Sequence, residues 1–481
     1  MQILQGCASF SSMRALSFLF LTLCLPAWGQ NRIGTGAVEA LYRQHCMSCH
    51  GENLTGGLGA SLLDPSAWEV VGKRSGFIEY VQAGDSETGM PSFGESLSVP
   101  EIRSLQIYID EMRQKSDRAA GLSTVVKAGE IYSAGGYRFR LEPVITGLTL
   151  PWSINFLSST QALITERQGQ LRFWSEGQLS QPIAGTPEVA TRGQGGLLEV
   201  AAHPNYSENG WIYLGYSAAA ASDSNYSMTK IVRGRVVDQR WQDEEVIFEV
   251  PAELHRSSGV HFGTRFVFQD GYLYFSIGDR GAQDQAQDLT RPNGKIHRIH
   301  DDGRVPRDNP FVETADAYPS IWTYGNRNAQ GLDAHPETGV IFESEHGPRG
   351  GDEINRIQRG RNYGWPVITY GMNYNGKPIT GQTAAPGMEQ PLHYWTPSIA
   401  VCGIDFYEGD QFPAWKHNLF AGGLASQELH RLVITENSVV SDEVILQGEG
   451  RIRDVASGPD GYLYLVLNGP DRVVRLVPIQ E

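Results

Sequence analysis

The pentapeptide Asp-Gly-Tyr-Leu-Tyr occurs twice, at Asp270–Tyr274 and Asp460–Tyr464, and each copy runs into an apolar stretch closed by another turn. Asp-Gly marks a turn, and the aromatic and aliphatic residues after it read as a strand. Looser relatives stand at Gly210–Ser217 (GWIYLGYS) and Gln161–Trp174 (QALITERQGQLRFW). From about Gly136 onward helical periodicity fades, and short β-branched or aromatic runs alternate with Gly, Pro, Asp and Asn. Hairpins recurring without intervening helices leave few architectures open. An array of β-sandwiches is one; a β-propeller, with each unit a blade, is the expectation. Residues 137–481 would give six blades of about 57 residues each, inside the usual four-to-eight-blade range. Glycine supplies 55 of 481 residues, above the average of about 7%, as a turn-rich β protein requires.

Before that region the chain reads differently. Residues 1–29 have the form of an export signal: Arg14, an apolar run from Ala15 to Leu25, and Ala27-Trp28-Gly29 as the cleavage site. Met13 can serve as the start. Leu23, where a small residue is needed before Cys24, argues against a lipoprotein signal. The run is shorter than the about 20 residues that cross a bilayer, so a periplasmic or secreted protein without a membrane span is expected. The net charge of −15 excludes nucleic acid as partner, because nothing would offset phosphate repulsion.

Residues 31–116 read as a small all-α domain, with Ile102, Leu105, Ile109 and Met112 on one face of a helix. Within it His45–Asn53 reads HCMSCHGEN. Cys-x-x-Cys-His attaches haem c: Cys46 and Cys49 form the thioethers and His50 ligates the iron. The sixth ligand is expected from Met90, which Pro91 follows in a stiff loop; Met112 is the rival, on the helix face that packs. An iron saturated in this way carries electrons rather than binding substrate. Of the five cysteines, Cys7 and Cys24 belong to the signal, and Cys402 stands alone in a strand-like segment, as a buried inert thiol. Residues 117–136 read as a linker and 137–481 as the propeller.

Four clusters in the propeller can carry chemistry. His261, four residues before Arg265, suits a general base, although a lone histidine is more often structural. Arg327 beside Asn328 forms a fork of donors for carbonyl or carboxylate oxygens, or faces solvent in a turn. Glu343, Glu345, Asp352 and Glu353 around Gly347-Pro348 suit Ca²⁺, or a solvated acidic loop. Arg451 and Arg453, two apart on one strand face, invite an anion between them, or form a wet edge.

Taken in order, these clusters match a family. Residues 149–481 resemble the soluble PQQ-dependent aldose sugar dehydrogenases, relatives of soluble quinoprotein glucose dehydrogenase. The likeness runs through TLPWSINF, GQGGLLEVAAHP, HFGTRFVF, GYLYFSIGD, TYGNRNAQGL, SEHGPRGGDEINRIQRGRNYGWP and RIRDVASGPDGYLYLVL. Residues 31–116 separately resemble class I cytochromes c. The resemblance implies a six-bladed propeller holding PQQ and Ca²⁺ in its channel mouth, preceded by an all-α cytochrome c domain. It makes His261 the base, Arg327 a polariser of the quinone, and Gln194, Arg327, Asn328, Arg451 and Arg453 the PQQ contacts. Main-chain oxygens of Gly347 and Pro348 would ligate the cofactor's Ca²⁺; Glu353 and the Tyr363 carbonyl would belong to a structural Ca²⁺ site.

Two positions depart from the family. Val260 stands where an acidic residue precedes the catalytic histidine, and Ala425 where a lysine approaches the cofactor. Glucose is therefore not assured as substrate. The expected activity is oxidation of an aldose to its lactone, with electrons passing from PQQ to haem c. From there they reach an external acceptor: another cytochrome, a cupredoxin or a terminal oxidase. Oxidation of another hydroxy or aldehyde compound, sorbosone-like, and a non-enzymatic binding propeller are the alternatives. Tethering is expected to bring the haem edge, beside the Met90 loop, over the channel mouth.

Overall fold

A computed structural model describes residues 36–64, 76–119, 125–435 and 437–479; the expected export signal lies outside them. The two Asp-Gly-Tyr-Leu-Tyr copies occupy the same place in two different sheets. Each joins a sheet's first strand to its second: Phe266–Gln269 to Tyr272–Ile277, and Arg451–Ser457 to Leu463–Asn468. In the first copy Asp270 and Gly271 take φ of 53° and 79°, the paired positive values of a tight hairpin turn.

Among the described residues there are six antiparallel sheets, five of them four-stranded, over 151–179, 197–248, 266–324, 329–395 and 401–447. The sixth joins the C-terminal strands to Tyr137–Ile145, so a strand from the front of the propeller closes the ring. Six apolar cores fill the spaces between neighbouring sheets: Leu163 meets Leu214, Met228 meets Phe275, and Ile296 meets Leu332. Onward round the ring, Phe342 meets Ile404, Phe420 meets Leu465, and Val466 meets Ile164. Sheets covered on both faces need strands apolar on both faces, and Leu463–Asn468 is buried at every position. The expected six-bladed propeller is the fold.

The innermost strands share a defect. Register shifts fall at Trp152, Leu198, Gln330, Cys402-Gly403 and Arg453, each the channel-side strand of its blade. Such bulges re-aim side chains, and here they do so around the channel.

Among its described residues the haem domain holds α1 (Gly36–His45), α2 (Met47–His50), α3 (Gly76–Ala83) and α4 (Val99–Ala119). Glu101 reaches back over the start of α4 as in one half of a capping box: the Ser98 N–H and hydroxyl both donate to Glu101 Oε2, at 2.8 and 2.7 Å. Tyr42 of α1 packs on Tyr108 of α4 at 5.7 Å between ring centres. Ile102, Leu105 and Ile109 are buried as their spacing requires, and Met112 is partly buried. Ile107, off that stripe, is buried too, because α4 also lies against the propeller.

The segment 117–136, expected as a linker, is described at 117–119 and 125–136. It contains the end of α4 and the strands Val126–Ala128 and Ile131–Ala134, which extend the closing sheet outward. Glu449 secures them, accepting from Lys127 Nζ at 2.6 Å and from the Tyr132 hydroxyl. Their sequence is too short and too polar to show strand periodicity by itself.

Candidate functional site

His261 lies on the turn leading into the third blade, at φ 54°, a left-handed conformation uncommon for a residue with a Cβ and frequent at functional sites. Its main-chain N–H donates to Gln194 Oε1 at 2.7 Å, so part of Gln194's amide is spent on holding the histidine. Its Nδ1 lies 2.7 Å from Asp279 Oδ1. Asp279 Oδ1 also takes the Gly281 N–H and its Oδ2 the Trp365 indole N–H, each at 2.8 Å. A carboxylate so occupied fixes the ring with Nδ1 as donor and leaves Nε2 as a lone pair.

Burial pushes the His261 pKa down, the Arg327 charge adds to this, and the Asp279 contact opposes both. The imidazole is neutral near pH 7, the form a base needs. Against the upward push of burial, the His261 bond and charge hold the Asp279 carboxyl below the ordinary carboxylate range. Asp279 sits inside GYLYFSIGD but has no chemical signal of its own; the pairing of a histidine with an acid 18 residues on is visible only in three dimensions.

Arg280, fully buried, donates to the carbonyls of Val260 and Ser258, and its guanidinium stacks 3.4 Å above Phe262. It braces the turn around His261 from beneath. The Val260 carbonyl is thereby committed, whatever its side chain does.

Arg327 and Asn328 come to the same place. Arg327 Nη1 donates to the His346 carbonyl at 2.6 Å, and its main-chain N–H to Glu345 Oε1 at 2.6 Å. Asn328 Oδ1 accepts from the Gly263 N–H at 3.2 Å. Arg453 stands at an inner-strand bulge, with Nη1 3.5 Å from the sulfur of buried Cys402. Arg451 Nη1 donates to the Leu424 carbonyl at 3.2 Å, beside Ala425. The sequence offered no reason to include Arg167, yet it joins this group. Burial first, then the charge of Arg453, lowers the pKa of both Arg451 and Arg167.

Below lies a buried ion cluster. Arg265 pairs with Glu199 at 3.0 Å and Asp454 at 2.8 Å, under Trp152. It carries its own counter-charges, so Glu199 and Asp454 are committed to Arg265.

The side chains present fit the groups the resemblance implies. Arg167, Arg327 and Arg453 each keep a buried Nε without a partner, as His346 keeps Nε2. Clustered guanidiniums with unused donors fit a planar polycarboxylate such as PQQ. At the metal position Gly347 allows no side chain, since a Cβ would run into the Gly351 carbonyl. Among the described residues no three His, Cys, Asp or Glu side chains are arranged as metal ligands; Ca²⁺ here would rest on main-chain oxygens and water, which its flexible coordination permits. Glu353 pairs across the ladder with Glu345, and Glu343 lies within electrostatic reach of Glu353 and Tyr363. Glu343 and Glu345 each keep a buried carboxylate oxygen without a partner, which also fits a cation.

In the haem domain Cys46 and Cys49 are half-buried, at the ends of one turn. His50 Nδ1 lies 2.8 Å from the Ala60 carbonyl, which fixes the ring and leaves Nε2 for iron. Met90 is held by a two-way main-chain bridge to Asp85, at 2.8 and 2.9 Å, and packs against the domain core, as Met112 does. Met90→Ala is expected to keep the haem covalently attached, open the sixth position and lower the potential. Spectra and redox titration of Met90→Ala and Met112→Ala check this; loss of the sixth ligand only in the latter reverses the choice.

Fold and sites define a six-bladed propeller carrying an N-terminal cytochrome c-like domain. Residues 148–475 match the glucose/sorbosone dehydrogenase family, and residues 35–109 match the cbb3-type cytochrome c oxidase subunit III family. The aldose sugar dehydrogenase of Escherichia coli is 42% identical over 325 residues, covering 66% of this chain and 86% of that protein. The apo crystal structure of the E. coli soluble aldose sugar dehydrogenase superposes with a TM-score of 0.68 at 38% identity, covering 71% of this chain and 100% of that one. A PQQ-bound aldose sugar dehydrogenase from Streptomyces coelicolor gives 0.57 at 26%, covering 71% and 98%. The chain belongs to the glucose/sorbosone dehydrogenase family.

Proposed function

We propose that this oxidoreductase is an exported quinohaemoprotein that oxidises the anomeric hydroxyl of an aldose to a lactone. The observation that carries the reading is a neutral, carboxylate-oriented His261 beside a cluster of arginines with unused donors. His261 Nε2 takes the hydroxyl proton, and Asp279 stabilises the imidazolium that results. Arg327, Arg451, Arg453 and Arg167, with Asn328 and Gln194, hold and orient PQQ; Gly347 and Pro348 offer oxygens to its Ca²⁺. Bound PQQ supplies an ortho-quinone that accepts hydride, polarised by Ca²⁺. Arg327 adds positive charge where negative charge arrives. Cys46, Cys49, His50 and Met90 would hold haem c, which would supply a one-electron carrier between the propeller and an external acceptor. Val260, which presents no acid beside the base, favours a substrate other than glucose, with a sorbosone-like compound as second reading.

The test is anaerobic mixing of oxidised holoprotein with a panel of aldoses, read at the haem bands. Haem reduction at a rate independent of protein concentration is expected. A rate rising in proportion to concentration would mean transfer between molecules. No reduction by any sugar, with no turnover by an artificial acceptor either, leaves a binding propeller.

A further inference from the structure

Among the described residues the haem domain meets the propeller mainly along α4, and the Ala37 N–H of α1 also donates to the Asn375 carbonyl at 3.3 Å. Arg103, Ile107 and Glu111, spaced four apart, lie along one stripe of that helix. Arg103 lies within electrostatic reach of the stacked pair Tyr370 and Tyr394. Ile107 meets Gly350, where a Cβ would stand 2.7 Å from the isoleucine Cγ2 and φ is +89°. Glu111 takes two parallel bonds from Arg349, Nε to Oε1 at 2.7 Å and Nη2 to Oε2.

These contacts converge on one loop. Residues 347–351 carry the two carbonyls assigned to the cofactor's Ca²⁺ and follow directly on His346, whose carbonyl holds Arg327. On the propeller side, Ser398 Oγ donates to the Pro348 carbonyl at 2.8 Å and accepts from the Gly350 and Gly351 N–H groups. Arg349 exchanges both main-chain bonds with Met372, and the Met372 side chain is buried in the haem domain's own core. The loop is clamped from both sides.

The charge pair is the strongest of these contacts. Its side chains are 12% and 14% exposed, and the geometry is the two-pronged one that strengthens an arginine–carboxylate bond. A second ion pair across the boundary, Arg118 with Glu428, has an arginine 39% exposed and a single bond of 3.0 Å, the kind of pair that contributes little.

We propose that Glu111 is a positioning residue for electron transfer: through Arg349 it latches helix α4 onto the 347–351 loop and holds the haem domain in one pose beside the cofactor site. This rests on the functional reading above. With the latch closed, transfer from the cofactor to the haem occurs in a fixed geometry. With it open, the domain must find that geometry by diffusion on its tether. In Glu111→Arg, substrate-driven haem reduction is therefore expected to slow by about tenfold or more, because a tethered search replaces a fixed geometry. Turnover with a small artificial acceptor, which reaches the cofactor directly, should stay within about twofold, since Glu111 touches neither substrate nor cofactor.

The experiment compares wild type, Glu111→Gln, Glu111→Arg, Arg118→Ala and the charge swap Glu111→Arg/Arg349→Glu, each first shown to keep its haem spectrum. Stopped-flow haem reduction by an active aldose gives the internal rate. Hydrogen exchange of α4 and of residues 347–351 is followed in parallel on cofactor-free protein. The expected result is a slow internal rate and lost protection in Glu111→Arg, a milder loss in Glu111→Gln, recovery in the swap, and near wild-type behaviour in Arg118→Ala. Unchanged protection and an unchanged rate in Glu111→Arg would overturn the latch. A merely structural Glu111 would lower the melting temperature yet leave the internal rate unchanged relative to artificial-acceptor turnover, and that too overturns it. If wild-type haem is not reduced by any aldose, the functional reading fails instead, and hydrogen exchange still decides the latch.

Discussion

His261→Ala is expected to lower kcat by about 10²–10⁴-fold, the usual contribution of a positioned base. The same variant should bind PQQ with little change, because in the proposed site the arginines and the loop at Gly347 would hold the cofactor and the imidazole would not. The loss belongs in kcat, as for a group that acts in the transition state. Asp279→Asn should fall in the same direction, since an amide leaves the ring tautomer unfixed and the imidazolium without its counter-charge. The pH profile follows from the sign of the shift. Burial and Arg327 lower the His261 pKa, so the neutral base persists to a lower pH than an ordinary histidine allows. The acid limb of kcat/KM should therefore lie below the usual histidine range. A His261→Ala enzyme with wild-type kcat would reduce the residue to a structural one.

Much of this was legible in the residues, for uneven reasons. The Asp-Gly-Tyr-Leu-Tyr hairpins gave away the propeller because a hairpin is local: turn chemistry and strand alternation lie within a dozen residues. The haem motif is local too, and His50 with its Ala60 partner needs only ten more residues. The site is not local. Asp279 meets His261 because the third blade's first two strands are antiparallel, and Arg167 reaches Arg453 only because the first and last blades are neighbours in a closed ring. The strands Val126–Ala128 and Ile131–Ala134 were not legible for the opposite reason: they are set by the edge they pair with, not by their own periodicity. Ile107 and Glu111 read as one more polar–apolar alternation on a helix, although the helix is packed on two sides.

Stripping divalent ions with a chelator is expected to abolish sugar oxidation while leaving the covalent haem in place. Ca²⁺ should restore activity better than Mg²⁺, because a loop of main-chain oxygens suits a large ion with flexible coordination, whereas Mg²⁺ demands a tight octahedron and sheds its waters reluctantly. The second acidic cluster adds a readout that does not depend on turnover. In the metal-free fold burial, reinforced by Glu345, pushes the Glu343 carboxyl well up, and burial raises Glu345 and Glu353 as well. A carboxyl raised on folding binds its proton more tightly in the folded state. Its contribution to stability is therefore present below the ordinary carboxylate range and lost as pH rises through the raised values. A tenfold gain in proton affinity on folding is worth about 1.4 kcal/mol. The chelated protein should thus lose melting temperature between pH 5 and pH 8 more steeply than the Ca²⁺-loaded protein, in which a cation takes the place of those protons. Equal slopes would remove Glu353 and its neighbours from any ion site, and full activity in metal-free protein would end the Ca²⁺ assignment at Gly347 and Pro348.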